Sequence, residues 1–344
     1  LIGGEGIRNV SPAGTIPSGD HETVDMKGMT LLPGLINAHV HITMDPFTDP
    51  RIAMAEGNRT KLVITAMGNL RKQLLSGVTY FRDLGAPDYM DLELRNCVRE
   101  GLVPGPEFLA AGKMITMTGG HGHNIGRECD GPDEVRKAAR EQVRAGADVI
   151  KIMATGGVMT PGNEPGAPQL TLEEMRAAVE EAHKAGRKSA AHAQGKQGIR
   201  DALLAGIDSI EHGIALDDEL VELMIENGVY LVPTLAAPHF IIEHGAAGGV
   251  PEFAVEKTKR ILELHYSSFE RARKAGVTIA MGTDAGTPFN RHDGTPVELK
   301  LMVKYGMSPY EAIMAATEVS AELLGIADRY GSLTEGKVAD IIAV

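Results

Sequence analysis

Cysteine is nearly absent, tryptophan wholly so, and neither positive charge nor long apolar runs are plentiful. Each shortage removes a class of protein. The two cysteines, Cys97 and Cys129, stand far apart and outside any CxxC spacing, so neither a disulfide framework nor a cysteine zinc site is expected. A reducing compartment is the default that follows. No stretch approaches the roughly 18 apolar residues of a membrane span, and the opening LIGGEGIRNV has neither the charged nor the apolar region of a signal peptide. The expected location is the cytoplasm, but the missing initiator methionine suggests a lost or processed start and leaves a periplasmic or secreted origin open. Lys and Arg number 34 against 46 Asp and Glu, a formal charge of −12, which argues against nucleic acid as a partner. With only seven Phe and seven Tyr, the core must be aliphatic and filled by methionine.

What is present is globular. Of the 344 residues 43% are hydrophobic, 23% are charged and 41 are glycine, which suits one large α/β domain with many tight turns. Eight short apolar runs read as strands: LINAHVHI (35–42), VTYFRDL (78–84), FLAAGKMI (108–115), DVIKIMAT (148–155), KSAAHAQ (188–194), DSIEHGI (208–214), YLVPTL (230–235) and TIAMGTDA (278–285). Helical stretches lie between them. In TLEEMRAAVEEAHKAG (171–186), Thr171 and Glu174 have capping-box spacing and Gly186 stops the helix. Similar Ala-Gly or Asn-Gly stops recur at 145–146, 205–206, 227–228 and 275–276. This punctuation predicts an α/β fold of the TIM (β/α)8 barrel type over a doubly wound sheet. Residues 1–33 and 331–344 are turn-rich with short β-like pieces, so the two terminal segments, both cut short, are expected to pair into one small sheet beside a barrel of 34–330.

The residues that could carry chemistry sit at strand ends. His39 and His41, at i and i+2, point to one face and could grip one metal ion. An HxH pair alone is unspecific. Lys151, His192, His212 and Asp284 occupy equivalent places in four other strands, and in a barrel such side chains converge on the C-terminal mouth. There an uncompensated charge costs several kcal/mol or shifts its pKa, and a bound dication is the simplest compensation. Taken singly, His192 could be a core histidine, His212 could pair with Glu211, and Asp284 could cap a turn. Lys151 lies between Ile150 and Ile152. Either it pairs with a carboxylate, or its neutral amine reacts with carbon dioxide to give a carbamate.

Through LLPGLINAHVHI, VIKIMATGG, AAHAQG, IEHG and MGTDAG, in that order, and the closing GSLTEGKVADIIAV, the chain resembles the amidohydrolase superfamily of metal-dependent hydrolases. TGGHGHN (118–124) and KIMATGGVMTPGNEPGAPQLT (151–171) resemble the branch with Xaa-Pro dipeptidases and Xaa-Arg or Xaa-Lys carboxypeptidases, related to imidazolonepropionases. The resemblance implies that the terminal segments 1–33 and 331–344 form a small β-sandwich domain, and it implies two divalent ions, expected to be zinc. His39 and His41 would bind one and His192 and His212 the other, with carboxylated Lys151 bridging both and Asp284 completing the first site.

Such a site makes a metal-bridging hydroxide available at neutral pH, with Asp284 as general base and then acid. His121 and His123 share HxH spacing, but no further ligand is evident. The resemblance places them at the substrate, where they would polarise the carbonyl or contact a carboxylate. The expected activity is hydrolysis of a peptide-like amide in a dipeptide (Xaa-Pro or Xaa-Arg/Lys) or N-acyl amino acid. The alternatives are a cyclic-amide hydrolase, a deaminase, or a barrel that binds metal and ligand without catalysis. Lys151 argues against the deaminase, and Asp284 against the last. The partners expected are a small-molecule substrate and further copies of the same chain, with neither nucleic acid nor membrane. The stretch 156–168 is expected in the pocket wall or a lid. Met153 and Met281 are expected as core fillers, and Arg82 and Arg291 in structural or surface pairs.

Overall fold

The computed structural model describes residues 1–4, 6–12, 15, 19–47 and 59–344. Seven strands follow one another around a parallel sheet: β1 Leu35–Val40, β2 Val78–Asp83, β3 Glu107–Ala110, β4 Val149–Met153, β5 Lys188–Ala193, β6 Ser209–His212 and β7 Tyr230–Val232. Their residues are apolar at most positions and mostly buried, as strands covered on both faces must be. β1, β2 and β3 pair in order, and so do β4, β5, β6 and β7.

Backbone hydrogen bonds join these two runs into one ring. On one side Asp148 N donates to Ala110 O at 2.8 Å. On the other, residues 278–285 form an eighth stave. Ala280 N donates to Leu231 O at 3.0 Å, Ala38 N to Met281 O at 2.8 Å, and His41 N to Ala285 O at 2.9 Å. This stave differs from the expected strand: it carries only isolated bridges, at Ile279 and Ala285. The third candidate also differs. Its strand ends at Ala110, the chain turns at Gly112 (φ 71°), and pairing resumes at Ile115–Thr116 beside β4.

Helices cover the outside of the ring. Leu172–Lys184 starts at the capping box read from the sequence: Thr171 Oγ1 accepts from Glu174 N at 3.3 Å, and Thr171 N donates to Glu174 Oε2 at 2.7 Å. Such a cap contributes about 1 kcal/mol. Alanines in these helices, among them Ala138, Ala178 and Ala202, are fully buried against the sheet, and their small size lets each helix sit close. Met175, Met224, Met281 and Met302 are fully buried among them, and Phe81 stacks on Phe108 with ring centres 4.3 Å apart. The two ends of the chain meet: Leu31–Pro33 pairs antiparallel with Ile341–Ala343, and Gly6 bridges Val338.

Candidate active site

The C-terminal ends of the strands open into a cavity of about 600 Å³ whose lining includes His39, His41, Lys151, His192, His212 and Asp284. All six are buried. His39 in β1 and His41 just past its end both face inward, and each Nε2 approaches the same oxygen, Asp284 Oδ1, at 3.4 and 3.5 Å. Donor atoms of His39, His212 and Asp284 all lie within 4.8 Å of one another, a group able to hold a metal ion. The ring centres of His192 and His212 are 4.6 Å apart, and those of His39 and His212 5.2 Å.

Local backbone explains how β6 and the eighth stave deliver their groups. His212 and Asp284 both have left-handed backbone, at φ 72° and 59°, a region that costs a non-glycine residue free energy. Asp284 is held there by a polar clasp. Asn37 Nδ2 donates to Thr283 Oγ1 at 2.8 Å, and Asn290 Nδ2 to the Asp284 carbonyl at 2.9 Å. The stave can approach β1 only because residue 282 is glycine. A Cβ there would press on Val232 and lie 2.9 Å from the Cβ of His39.

The other ring nitrogen of each imidazole is engaged. His41 Nδ1 donates to Gly85 O at 2.9 Å, His192 Nε2 faces Gly156 O at 3.4 Å, and His212 Nδ1 lies 2.7 Å from Thr234 Oγ1. His39 Nδ1 lies 2.8 Å from Glu211 Oε2. The sequence left open a Glu211–His212 pair, but Glu211 reaches His39 and Arg82 instead.

Burial sets the charge states. It pushes His39, His192 and His212 well below the ordinary imidazole range and His41 down to about 4. The rings are therefore neutral, with lone pairs free for a metal. Burial lowers Lys151 to about 8, against the pull of Glu211, and raises Asp284 to about 7, against the pull of Lys151. Lys151 Nζ has no hydrogen-bond partner among the described residues. A buried cationic donor without a partner is costly, and that observation fits a lysine whose nitrogen is meant to carry something else.

His121 and His123 also line the cavity, from the loop after Ile115–Thr116. His121 lies against His192, with ring centres 4.5 Å apart and planes tilted by 46°, and its Nδ1 is 2.8 Å from Thr160 Oγ1, whereas His123 is exposed at the rim. Gly157 gives His121 room, since a Cβ there would lie 2.5 Å from Nε2 of that ring. Val158, Met159, Thr160 and Pro161 place 156–168 in the pocket wall. Lys257 ties that wall to the helix Glu252–Ala275 by donating to the carbonyls of Thr160 and Asn163.

Two placements differ from, or were missed by, what the sequence led us to expect, while Arg82 and Arg291 stand in the expected pairs. Met153 is buried but lines the cavity with Met44, Met114 and Ile125, so it is more than core filler. His265, from the helix Glu252–Ala275, lies under the site with Nε2 3.0 Å from His212 O and 2.8 Å from Pro233 O. Only helical burial marks it in the sequence. Arg82 is fully buried in the barrel and pairs with Glu211, while Arg291 pairs with Asp293 at the surface.

The amidohydrolase family model matches residues 30–344. The chain belongs to that family. Ochratoxinase of Aspergillus niger is 34% identical over 345 residues, covering 91% of this chain and 70% of the relative. A crystal structure of a Xaa-Pro dipeptidase with bound methionine in its active site matches with a TM-score of 0.89 at 36% identity, covering 100% of this chain and 87% of that one. A prolidase complexed with N-methylphosphonate-L-proline matches with a TM-score of 0.93 at 31% identity, covering 100% and 86%. This amidohydrolase is accordingly a hydrolase acting on C–N bonds, on the TIM-barrel scaffold of its neighbours. Among the described residues, no helix is long and apolar enough to cross a membrane.

Proposed function

We propose that this amidohydrolase holds two divalent ions, zinc in the simplest case, and hydrolyses the amide of an N-acyl amino acid or dipeptide. The observation that carries the reading is Lys151, whose buried Nζ lacks a hydrogen-bond partner among the described residues while four neutral imidazoles and Asp284 share its cavity. His39, His41 and Asp284 would hold one ion and His192 and His212 the other, with Lys151 as its carbamate joining them. When bound, the pair supplies an activated water and polarises the scissile carbonyl.

The chain's own groups supply the rest. Asp284, whose Oδ1 faces both His39 and His41, takes a proton from the attacking water and returns it to the leaving nitrogen. The water oxygen ends on the carbonyl carbon, the C–N bond breaks, and the amine departs with the proton. His121, fixed by Thr160, and His123 at the rim contact the substrate carbonyl or carboxylate. Much of the remaining lining is apolar, with Met44, Met114, Met153, Ile241 and Pro238 among it, and Asp284 is its only carboxylate among the described residues. That favours proline or an apolar residue over arginine or lysine on the leaving side. The domain reading goes with it: a barrel of 34–330 and a small β domain from 1–33 and 331–344, supported by the pairing of Leu31–Pro33 with Ile341–Ala343.

The test is amino-acid release from a panel of dipeptides and N-acyl amino acids, with zinc and bicarbonate supplied and a chelated control. Chelator-sensitive release of proline or apolar residues is expected. No release by protein shown to hold two ions would overturn the reading and direct attention to cyclic amides.

A further inference from the structure

Of the histidines around the cavity, His39 alone, among the described contacts, has a carboxylate on the ring nitrogen that faces away from the site. The corresponding partners of His41, His192, His212 and His121 are carbonyls or hydroxyls. Glu211 Oε2 meets His39 Nδ1 at 2.8 Å, while Glu211 Oε1 accepts from Arg82 Nη2 at 2.8 Å and from Ser209 Oγ at 2.6 Å. Arg82 closes the circuit. Its Nη1 donates to Ser209 Oγ at 3.2 Å and its Nε to Ala38 O at 2.6 Å, the residue just before His39.

His39, Arg82 and Glu211 are each no more than 1% exposed. Burying an arginine–glutamate pair is a poor route to stability, because desolvation of the two ions consumes most of their attraction. Apolar residues fill the same barrel elsewhere. The pair's geometry serves His39 instead: a carboxylate on Nδ1 keeps the ring proton there and leaves the Nε2 lone pair aimed at Asp284.

We propose that Glu211 and Arg82 are positioning residues that lock the tautomer and orientation of His39 and thereby strengthen its hold on the ion shared with His41 and Asp284. The proposal rests on the metal site proposed above. Glu211 sets the ring, Ser209 and Arg82 set Glu211, and Arg82 is anchored to the strand that carries His39. The ion on His39 and His41 is thus backed by a full charge, whereas the ion on His192 and His212 is backed only by a carbonyl and a hydroxyl.

The experiment is zinc affinity and zinc release into a chelator for wild type, E211Q and E211D, with thermal melts of the metal-free proteins alongside. Wild type is expected to hold two ions. E211Q should keep both strong contacts from forming at once and weaken one of the two ions about 10- to 100-fold, leaving the other unchanged. E211D, which keeps the charge, should recover part of that loss. Affinity in E211Q within about twofold of wild type overturns the relay, and so does an equal loss in both variants, which would mark a packing role. Wild type that binds no zinc overturns the ligand set itself and the relay with it. If E211Q does not fold, S209A removes one donor to Oε1 without touching either charge, and unchanged release from the tighter-backed site in S209A overturns the proposal.

Discussion

The Thr234 hydroxyl lies 2.7 Å from Nδ1 of His212, and both residues hold left-handed backbone, at φ 51° and 72°. The end of β6 and the turn just past β7 therefore carry strained residues that are tied to each other. The bond leaves Nε2 of His212 for the cavity. Thr234→Val keeps the branched shape and removes the hydroxyl, so a buried nitrogen loses its partner at a cost of about 1–3 kcal/mol. Zinc affinity should fall about tenfold or more, as read by equilibrium dialysis, and Thr234→Ser should restore it. Wild-type affinity in the valine variant would contradict this account of His212.

Lys151 offers a prediction with two opposite signs. Replacing it with methionine removes a buried amine that has no hydrogen-bond partner among the described residues and substitutes an apolar side chain of similar length. The metal-free protein should melt higher, because the desolvation cost of the amine disappears. Zinc uptake should meanwhile lose its dependence on bicarbonate, and hydrolysis should stop. A lower melting temperature, or bicarbonate-dependent loading that persists, would show that Lys151 has a different role.

Asp284→Asn retains the shape of the side chain and removes its capacity to carry a proton. The Asn37 and Asn290 contacts reach Thr283 and the Asp284 carbonyl rather than the carboxylate, so the turn should persist. Turnover should drop by about 10²- to 10⁴-fold, the usual contribution of general acid–base catalysis, in protein that still contains metal by elemental analysis. Turnover within a factor of a few of wild type is the outcome that excludes Asp284 as the proton carrier.

Acid stability should depend on Asp208, far from the cavity. Burial pushes its carboxyl up, but Lys188, His183 and Ser189 outweigh that and hold it below the ordinary range. A carboxylate whose folded pKa is depressed adds stability that is present above the unfolded value of about 3.9 and is lost as pH falls through the folded one. Asp208→Asn should therefore be less stable than wild type at pH 7, by about 1–3 kcal/mol, and the gap should start to narrow at about pH 4 and shrink further as the folded carboxylate is protonated. A series of denaturant melts from pH 7 down through the acid range checks this, and a gap independent of pH would refute it.

The ring of strands was readable because apolar runs and Ala-Gly stops are local signals, and so was the convergence of His39, His41, Lys151, His192, His212 and Asp284. All but Lys151, which stands mid-strand in β4, lie near or just past a strand end, and a barrel brings those ends together. The partners of those residues were not readable. Glu211 and His39 are 172 positions apart, and strand alternation sends neighbours 211 and 212 to opposite faces unless the backbone turns left-handed at His212, as it does. His265 was hidden because a histidine on the buried side of a helix looks like any other core residue. The eighth stave reads as a strand by composition, yet the clasp that aims Asp284 takes its backbone out of regular pairing.

That irregular stave gives the hoop a seam. Between β7 and β1 the ring is held by a handful of backbone bonds instead of a continuous ladder. The side chains that face each other across this join are His39 and Asp284, 3.4 Å apart. Whatever links the imidazole to the carboxylate also fastens this join, so amide exchange along 278–285 is a gauge of loading at the mouth.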